Sequence, residues 1–236
     1  MKTVVISDIH ARPKLLLNAL EHAGNYDSVV FAGDALDIGA DPEGALRVID
    51  ENCDVALFGN HDICAVFGVP ISPQDSVSFS YASYLRGKHA SKEWKFAYAV
   101  DGVIITHAGI SSFNAGTIYG EVDHLLVASD INRIMRREFD SAPMFHDDKE
   151  NYWLASPLMD RWGCLWYRPS VDTLPGFKQV AGHTPDLCYT ESQLKSLRNK
   201  GLRLVDPYAR SHFGEDGYYK YATITDGKVR VHSGVL

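Results

Sequence analysis

The chain has 236 residues, of which 45% are hydrophobic and 22% charged, and its formal net charge is −7. This length and composition predict a single globular domain, residues 1–236, with room for an inserted cap. The acidic balance argues against nucleic acid or an anionic membrane as partner, because both bind clustered basic side chains. No stretch approaches the roughly 18 consecutive apolar residues of a membrane span, and the N-terminal apolar run is too short for a signal peptide. We therefore expect a cytoplasmic protein, whose oligomeric state the sequence does not indicate.

The first half of the chain alternates strands with helices. Short apolar runs predict strands at residues 2–7, 28–32 and 54–58. Helical patterns cover 13–23 and 42–52, and both begin with a proline, which suits the first turn of a helix. Asp41 is the expected N-cap of the second helix. This βαβαβ order predicts a parallel sheet with right-handed crossover connections.

The middle of the chain is less regular. Prolines interrupt residues 63–93, apart from a short helix expected near 81–85. A longer helical pattern covers 119–140. An irregular stretch rich in aromatic residues follows it.

Two hairpins are expected from turn dipeptides that lie between apolar runs. Asp101-Gly102 predicts a hairpin of strands 94–100 and 103–106, because Asp-Gly favours the tight turn that joins two strands. The C-terminal part is rich in strand patterns and contains a second dipeptide of this kind, Asp226-Gly227. The strands expected in this C-terminal part are 177–181, 202–205, 218–225 and 228–232.

Together these elements predict an α/β (α+β) fold, a sandwich of two mixed β-sheets in two or four layers with flanking helices. We expect segment 111–162 to form a lid or cap insertion over the site described next. The aromatic residues of 152–167 are expected to pack this lid, with stacking of a nucleobase as the alternative.

Five short motifs place polar side chains directly after apolar runs. In open α/β sheets, ligands bind beyond the carboxyl ends of the strands, so these side chains are expected to share one crevice. The motifs are Asp8-Ile9-His10, Gly33-Asp34-Ala35-Leu36-Asp37, Gly59-Asn60-His61-Asp62, Thr106-His107-Ala108-Gly109 and Gly182-His183-Thr184.

Aspartate, asparagine and histidine are suitable donors for a centre of two divalent metal ions, which is used for phosphoester chemistry. Asp34 follows Gly33, which permits close backbone approach, and its two oxygens can bridge metals about 3.5–4 Å apart. Mixed His and carboxylate ligation suits manganese, our first choice, and also iron, zinc, cobalt or nickel, better than calcium. The six candidate ligands are Asp8, His10, Asp34, Asn60, His107 and His183.

His61 directly follows a candidate ligand, so its side chain is expected to point another way, toward the substrate. We predict that His61 donates a proton to the leaving alkoxide. Asp37, three residues after Asp34, is placed to hold the other ring nitrogen and keep the imidazole cationic. The expected nucleophile is a metal-bridging hydroxide, because two cations strongly lower the pKa of water.

The five motifs, in this order over about residues 1–190, resemble the calcineurin-like metallophosphoesterases, whose pattern is D-x-H, G-D-x-x-D, G-N-H-[DE], H-[AG]-G and G-H. The resemblance implies that Asp8, His10 and Asp34 hold one metal. It also implies that a second metal is held by Asp34, Asn60, His107 and His183.

The residues after His183 narrow the resemblance. Thr184-Pro185 is similar to the phosphoprotein phosphatase and symmetrical diadenosine tetraphosphatase branch, whereas many nucleases and cyclic-nucleotide diesterases of the superfamily carry a further His where this chain has Pro185. That branch usually has Gly and a phosphate-gripping Arg where this chain has Ala11 and Ile38. We therefore expect Arg168, or alternatively Arg12, to bind the phosphate as a bidentate donor.

The favoured function is hydrolysis of a phosphate monoester, carried by a phosphoprotein or a small phosphate. Symmetrical hydrolysis of diadenosine tetraphosphate is the alternative within enzymes. A noncatalytic, metal-binding interaction module with the same fold is the alternative of another class. Retention of the proton donor His61, its partner Asp37 and all candidate ligands favours an enzyme.

The four cysteines are scattered and form no C-x-x-C pair, which argues against a disulfide framework or a zinc site. We expect buried thiols in a reducing compartment. They are Cys53, Cys64, Cys164 and Cys188.

Overall fold

A computed structural model describes residues 1–71, 73, 75–115, 123–144, 156–207 and 218–235. Its strands are β1 Lys2–Ile6, β2 Ser28–Phe31, β3 Val55–Leu57, β4 Trp94–Lys95, β5 Ala97–Val100, β6 Val103–Thr106, β7 Gln179–Ala181, β8 Leu202–Leu204, β9 Tyr218–Thr225 and β10 Lys228–Val235. Its α-helices are α1 Pro13–Ala23, α2 Pro42–Asn52, α3 Asn60–Phe67, α4 Ala82–Ala90, α5 Ser112–Ala115, α6 His124–Ser141 and α7 Glu191–Asn199.

The strands form two mixed sheets. The first has six strands in the order β10-β9-β1-β2-β3-β4. Strands β1 to β4 are parallel, β9 is antiparallel to β1, and β10 is antiparallel to β9. The second has four strands in the order β5-β6-β7-β8, with only β5 antiparallel. The predicted sandwich of two mixed sheets flanked by helices is confirmed.

Alternation of side chains along β1 divides the core into layers. Val5 points between the sheets and clusters with Val30 and Ile105. Val4, on the opposite face, packs with Leu16 of α1. On the second sheet, α6 packs against β5 and α7 against β8. The layers are therefore helix, sheet, sheet and helix.

The local signals at the helix starts and hairpins are also confirmed. Both α1 and α2 begin with proline, and the Asp41 carboxylate accepts a hydrogen bond from the Gly44 amide at 2.8 Å. Asp101-Gly102 and Asp226-Gly227 have φ of 50° and 70°, and of 49° and 68°. Two successive left-handed residues are what a type I′ hairpin turn requires.

The predicted single strand 94–100 is wrong, because the chain changes sheets within it. β4 pairs with β3 in the first sheet, and β5 pairs with β6 in the second. At the crossing, the Asn132 carboxamide accepts hydrogen bonds from the amides of Phe96 and Ala97 at 2.8 and 3.1 Å and donates to the Ala97 carbonyl at 2.8 Å. These bonds give hydrogen-bond partners to the backbone of Phe96, which lies between the two strands, and of Ala97, the first residue of β5.

Helix α3 was not expected, and its composition explains why. All eight of its side chains are buried, so the segment lacks the alternation of apolar and polar faces that indicates a surface helix. The long helix predicted for 119–140 is observed as α6, with Asp123 as its N-cap, and residues 119–122 lie outside the described residues. Much of the expected lid, at 116–122 and 145–155, also lies outside them, so the lid stays a prediction.

The expectation of four buried thiols is wrong at Cys188. Cys64 and Cys164 are buried and Cys53 is half-buried, but Cys188 is exposed on a short 3₁₀ turn, Asp186–Cys188. All four are free thiols. Among the described residues, no helix is both long and apolar enough to cross a membrane.

The two hairpin turns lie against each other, and this contact makes a matched pair of substitutions informative. A Cβ added at Gly102 would meet nothing within 4 Å, whereas one at Gly227 would lie 2.9 Å from the Asp101 carbonyl oxygen. Gly102→Ala should cost about 1–2 kcal/mol of unfolding free energy through its left-handed φ alone. Gly227→Ala should cost more in urea denaturation, because the clash adds to the same backbone cost. Equal losses would contradict the turn-to-turn contact.

Candidate metal centre

The loops after five parallel strands meet at one end of the sandwich, where the carboxyl ends of strands from the two packed sheets lie side by side. Asp8, after β1 of the first sheet, accepts hydrogen bonds from the amide of His183, after β7 of the second, at 3.1 and 3.0 Å. His107, after β6, contacts the Ala32 carbonyl through Nδ1 at 2.9 Å and the Asn60 carboxamide oxygen through Nε2 at 2.8 Å. The candidate ligands therefore come from both sheets and share one crevice.

Asp34 stands between two groups of donor atoms. Its Oδ2 lies 3.6 Å from Nε2 of His10 and 3.4 Å from Nε2 of His107. Asp8 completes the first side, with Oδ1 4.0 Å from Nε2 of His10. In the second group, the ligand atoms of Asp34, His107 and His183 lie within 4.8 Å of one another. One carboxylate thus faces both places where a cation could sit.

The orientation of the histidine rings fits metal binding. His10 bonds through Nδ1 to the Leu36 carbonyl at 2.9 Å, and His107 uses Nδ1 in the same way, so each Nε2 is turned to the crevice. A backbone partner on the other ring nitrogen is usual for metal-ligating histidine. Nε2 of His183 is buried and has no hydrogen-bond partner among the described residues. A cation is a suitable partner for this orphaned nitrogen, and the donor set suits a transition metal.

Several candidate ligands have a backbone conformation that non-glycine residues rarely adopt. Asp8, His10, Asp34 and His183 have φ of 53°, 45°, 61° and 60°. Such left-handed residues cost of order 1 kcal/mol each and cluster at functional sites. Here each one turns the chain sharply at the end of a strand, which directs the side chain over the sheet edge.

Asp62 holds two of these loops together, a function that sequence analysis did not assign. Its buried carboxylate accepts hydrogen bonds from the amides of Asp34, Ala35 and Gly59 at 3.0, 3.1 and 2.9 Å. Burial, and next the charge of Asp34, raise the pKa of Asp62 to about 7. The signal was available, because Asp62 closes the Gly59-Asn60-His61-Asp62 motif just inside helix α3. A carboxylate there satisfies the free amides of a helix start.

Close approach of the backbone explains Gly33. A Cβ at this position would lie 2.6 Å from the Gly59 amide nitrogen and 2.9 Å from Nδ1 of His107. Its φ of 93° is also one that only glycine adopts readily. Any larger residue would push apart the loops that carry Asp34 and Asn60.

The charges of the centre compensate one another. Burial opposes protonation of His107, but the adjacent Asp34 carboxylate outweighs it and raises the His107 pKa to about 10. Burial raises the pKa of Asp34, but the positive charges of the His107 and His61 imidazoles outweigh it and hold that pKa below the usual range. Burial lowers the pKa of His10 and, with the charge of His107, that of His183. Bound cations would replace the protons that now balance the carboxylates.

His61 and Asp37 lie in contact, as sequence analysis expects. Nδ1 of His61 is 2.6 Å from Oδ2 of Asp37. Asp37 is held in turn by the amide of Asp75 at 3.1 Å and by the hydroxyl of Ser78, two contacts that the sequence pattern did not reveal. Burial lowers the pKa of His61, but the charges of Asp34 and Asp37 outweigh it and raise that pKa. The ring lines the crevice, 4.9 Å from the ring of His10.

The crevice opens into a cavity of about 390 Å³. Ile38, Ile71 and Pro73 line it, and so do the residues that we call the floor, which are His61 and five of the six candidate ligands, Asp8, His10, Asp34, Asn60 and His183. We call the remaining lining residues, all from the C-terminal part of the chain, the outer wall; they are Trp166, Arg168, Pro185, Leu187, Cys188 and Asp206.

The two arginine candidates differ in position. Arg168 lines the cavity, and its charge contributes to the lowered pKa of His183. Arg12 lies directly before α1 and is not among the described residues that line the cavity. Of the two arginines, Arg168 is therefore the one that lies at the cavity.

The model of the calcineurin-like phosphoesterases (Metallophos) matches residues 1–187, which is more than half of the chain. The chain belongs to this family. Members of the family generally depend on two metal ions, and the His and Asp groups of the crevice are suited to hold them. No curated protein sequence matches the chain.

Solved structures share the fold of this calcineurin-like phosphoesterase. A cold-active protein-tyrosine phosphatase of a psychrophilic Shewanella species aligns over 98% of this chain and 80% of its own, with a TM-score of 0.64 and 18% identity. A metallophosphoesterase from Sphaerobacter thermophilus covers 99% and 87%, with a TM-score of 0.51 and 15% identity. A third structure, described as a proposed diadenosine tetraphosphatase, covers 99% and 93%, with a TM-score of 0.51 and 18% identity. At these identities the likeness concerns the fold alone.

The shared position of Asp34 leads to a test by metal binding. Asp34→Asn should reduce the number of Mn²⁺ ions bound per chain and weaken those that remain, because the amide has one donor oxygen and no charge. Isothermal titration of metal-stripped protein measures both quantities. Asp54→Asn is the control, since Asp54 accepts the Val29 amide at 2.8 Å and directly precedes β3, at the end of that strand away from the crevice. Unchanged stoichiometry and affinity in Asp34→Asn would show that Asp34 is not a shared ligand.

Proposed function

We propose that this calcineurin-like phosphoesterase is a dinuclear-metal phosphatase that hydrolyses phosphate monoesters, presented by a phosphoprotein or a small phosphate. The observation that carries the proposal is the single carboxylate, Asp34, that faces His10 on one side and His107 on the other at 3.6 and 3.4 Å. A shared carboxylate between two imidazole-containing donor groups is the arrangement of a two-metal site. Membership of the family supports the same reaction class.

The proposed ligands divide into two sets around Asp34. Asp8 and His10 hold one cation with it, while Asn60, His107 and His183 hold the other. When bound, two divalent cations, with Mn²⁺ the first choice, supply positive charge for the phosphoryl oxygens and make a water molecule acidic enough to act as nucleophile near neutral pH.

His61 supplies the proton that the leaving group needs. Its ring faces the crevice, and the contact of Nδ1 with Asp37 leaves Nε2 as the nitrogen that gives up a proton. The contact with the Asp37 carboxylate favours the protonated ring, the form that a general acid requires. Asp37 therefore acts through His61, by orienting the ring and stabilising its charge.

The cavity supports a monoester as substrate. Arg168 is positioned at the outer wall, where its guanidinium can pair with two oxygens of one phosphoryl group. Ile38, Ile71 and Trp166 offer apolar surface to the organic part of an ester. A long polyphosphate chain would need several cations along the cavity, and Arg168 is the one Lys or Arg among the described residues that line it.

A panel of substrates tests the proposal directly. With Mn²⁺ added to metal-stripped protein, p-nitrophenyl phosphate should be hydrolysed with a higher kcat/KM than bis-p-nitrophenyl phosphate or diadenosine tetraphosphate. Preference for the dinucleotide would replace the monoesterase by a symmetrical tetraphosphatase. Failure to turn over any of the three with metal bound would reject catalysis and favour a binding module.

The role of His61 as proton donor can be tested with two esters whose leaving groups differ in their need for a proton. His61→Ala should lower kcat on a phosphoserine peptide by about 10²–10⁴-fold, the range of general acid catalysis. The loss on p-nitrophenyl phosphate should be much smaller, because p-nitrophenolate leaves without a proton. A similar loss on both esters would assign His61 to another step.

The contact between Asp37 and His61 predicts the direction in which the pH dependence of activity shifts when Asp37 is replaced. Activity needs protonated His61, so it should be present below the raised pKa and be lost as pH rises through it. Beside the charge of Asp34, the charge and hydrogen bond of Asp37 raise this pKa. Asp37→Asn removes the Asp37 charge, so the alkaline limb of the kcat profile should move to lower pH. The profile of the phosphoserine peptide measures this shift, and an unmoved limb would contradict the pairing.

A further inference from the structure

A buried lysine lies behind the cavity, on a strand that carries none of the proposed ligands. Lys220 of β9 is 6% exposed, and buried lysines occur almost only where a partner compensates their charge. Its ammonium lies 3.2 Å from Oδ2 of Asp186 and donates to the Asp206 carbonyl oxygen at 2.9 Å. Along β9, Lys220 shares a face with Ala222, which points between the sheets.

Both segments that Lys220 contacts belong to the outer wall of the cavity. Asp206 follows β8 and is itself a wall residue. Asp186 lies between two others, Pro185 and Leu187, on the 3₁₀ turn Asp186–Cys188. The ammonium group of Lys220 therefore joins two separate segments of the outer wall to the first sheet, of which β9 is a strand.

The rest of the wall is connected to the same turn. The Tyr189 hydroxyl donates to the Pro169 carbonyl at 2.7 Å, next to Arg168. The turn that Lys220 holds thus leads, through Tyr189, to the residues proposed to bind phosphate and the organic group. Movement of the turn would be felt at Arg168.

The proposed metal ligands are anchored independently of Lys220. The His183 amide donates to the Asp8 carboxylate, and the Gly182 amide donates to the His107 carbonyl at 2.7 Å. Their donors, Gly182 and His183, precede Pro185, which is the first wall residue of this segment. Loss of the lysine should loosen the wall and leave the floor in place.

We propose that Lys220 is a positioning residue that holds the outer wall and thereby sets the affinity for substrate, an inference that rests on the proposed phosphatase function. Its charge has a second effect. It neutralises Asp186, whose side chain is 38% exposed and would otherwise place an unpaired carboxylate beside a cavity for a phosphate dianion. Both effects act on substrate binding rather than on the proton transfer from His61.

Lys220→Met tests the inference, because it removes the ammonium and keeps most of the volume. KM for p-nitrophenyl phosphate should rise about tenfold, consistent with the loss of a charge-assisted hydrogen bond, while kcat stays within about threefold. Mn²⁺ affinity measured by titration should be unchanged. Amide hydrogen exchange should be faster at Cys188 and Tyr189, whose amides close the turn at 3.0 Å each.

Lys178→Met is the matched control. Lys178 also donates to a backbone carbonyl, that of Gly227 at 2.7 Å, but at the hairpin turn. It should leave KM and the exchange of the 186–189 turn at the wild-type level. Lys220→Arg should restore KM to within about threefold of wild type, since it keeps a cation at the position. Because Lys178 is exposed and Lys220 is buried, the urea unfolding free energy of each variant is measured as well, which separates a role in the wall from a general loss of stability.

The inference is overturned if Lys220→Met has wild-type KM and wild-type exchange at the turn, or if Lys178→Met reproduces its effects. If Lys220→Met does not fold, Asp186→Asn removes the same ion pair from a half-exposed position and should speed exchange at the 186–189 turn, and wild-type exchange in this variant would overturn the inference; KM is not the readout here, because the substitution also removes the carboxylate that opposes the phosphate. Inactivity of the wild-type protein on every phosphate ester would reject the proposed function instead, and the exchange data would then decide whether Lys220 holds the wall.

Discussion

The site depends on one buried carboxylate held at a fixed place between two sheets. Asp34 is 1% exposed and faces imidazoles on both sides, and its Oδ1 also accepts the His61 amide at 2.9 Å. A carboxylate buried in this way is stable only where opposite charge and hydrogen bonds compensate its lost hydration. The surrounding structure supplies that compensation through His107, the Asp62 clamp on the Asp34 loop, and the glycine at position 33 that lets the loops approach. Each of these features would be costly without the others.

Much of the fold follows from patterns that are local in the chain. The strands at the centre are uninterrupted apolar runs such as Val29 to Phe31, and prolines and Asp-Gly pairs mark the helix starts and turns. The candidate ligands were identifiable because each directly follows such a run. The candidate ligands and the edge of the sheet at which they meet were therefore predictable together, since the carboxyl ends of parallel strands lie at one edge.

Most of the features that sequence analysis missed depend on how distant segments are brought together. The change of sheet at Phe96 depends on hydrogen bonds to Asn132, a residue of helix α6. Helix α3 is buried on every side, so its pattern is uniform rather than periodic. Cys188 is an ordinary apolar residue by type, and only the position of its turn at the cavity exposes it. Lys220 reads as a surface lysine within a strand, until Asp186 and Asp206 are brought to it.

The joint between the sheets also bears on folding. The Asp8 carboxylate and the His183 amide that it accepts are 175 positions apart in sequence. Closing so long a loop costs chain entropy that nearby contacts do not, so the crevice is completed only when the two sheets have docked. A cation that binds this donor set therefore recognises the folded chain and has no comparable site in the unfolded one. By mass action, the thermal midpoint of unfolding should then depend on the free concentration of the metal.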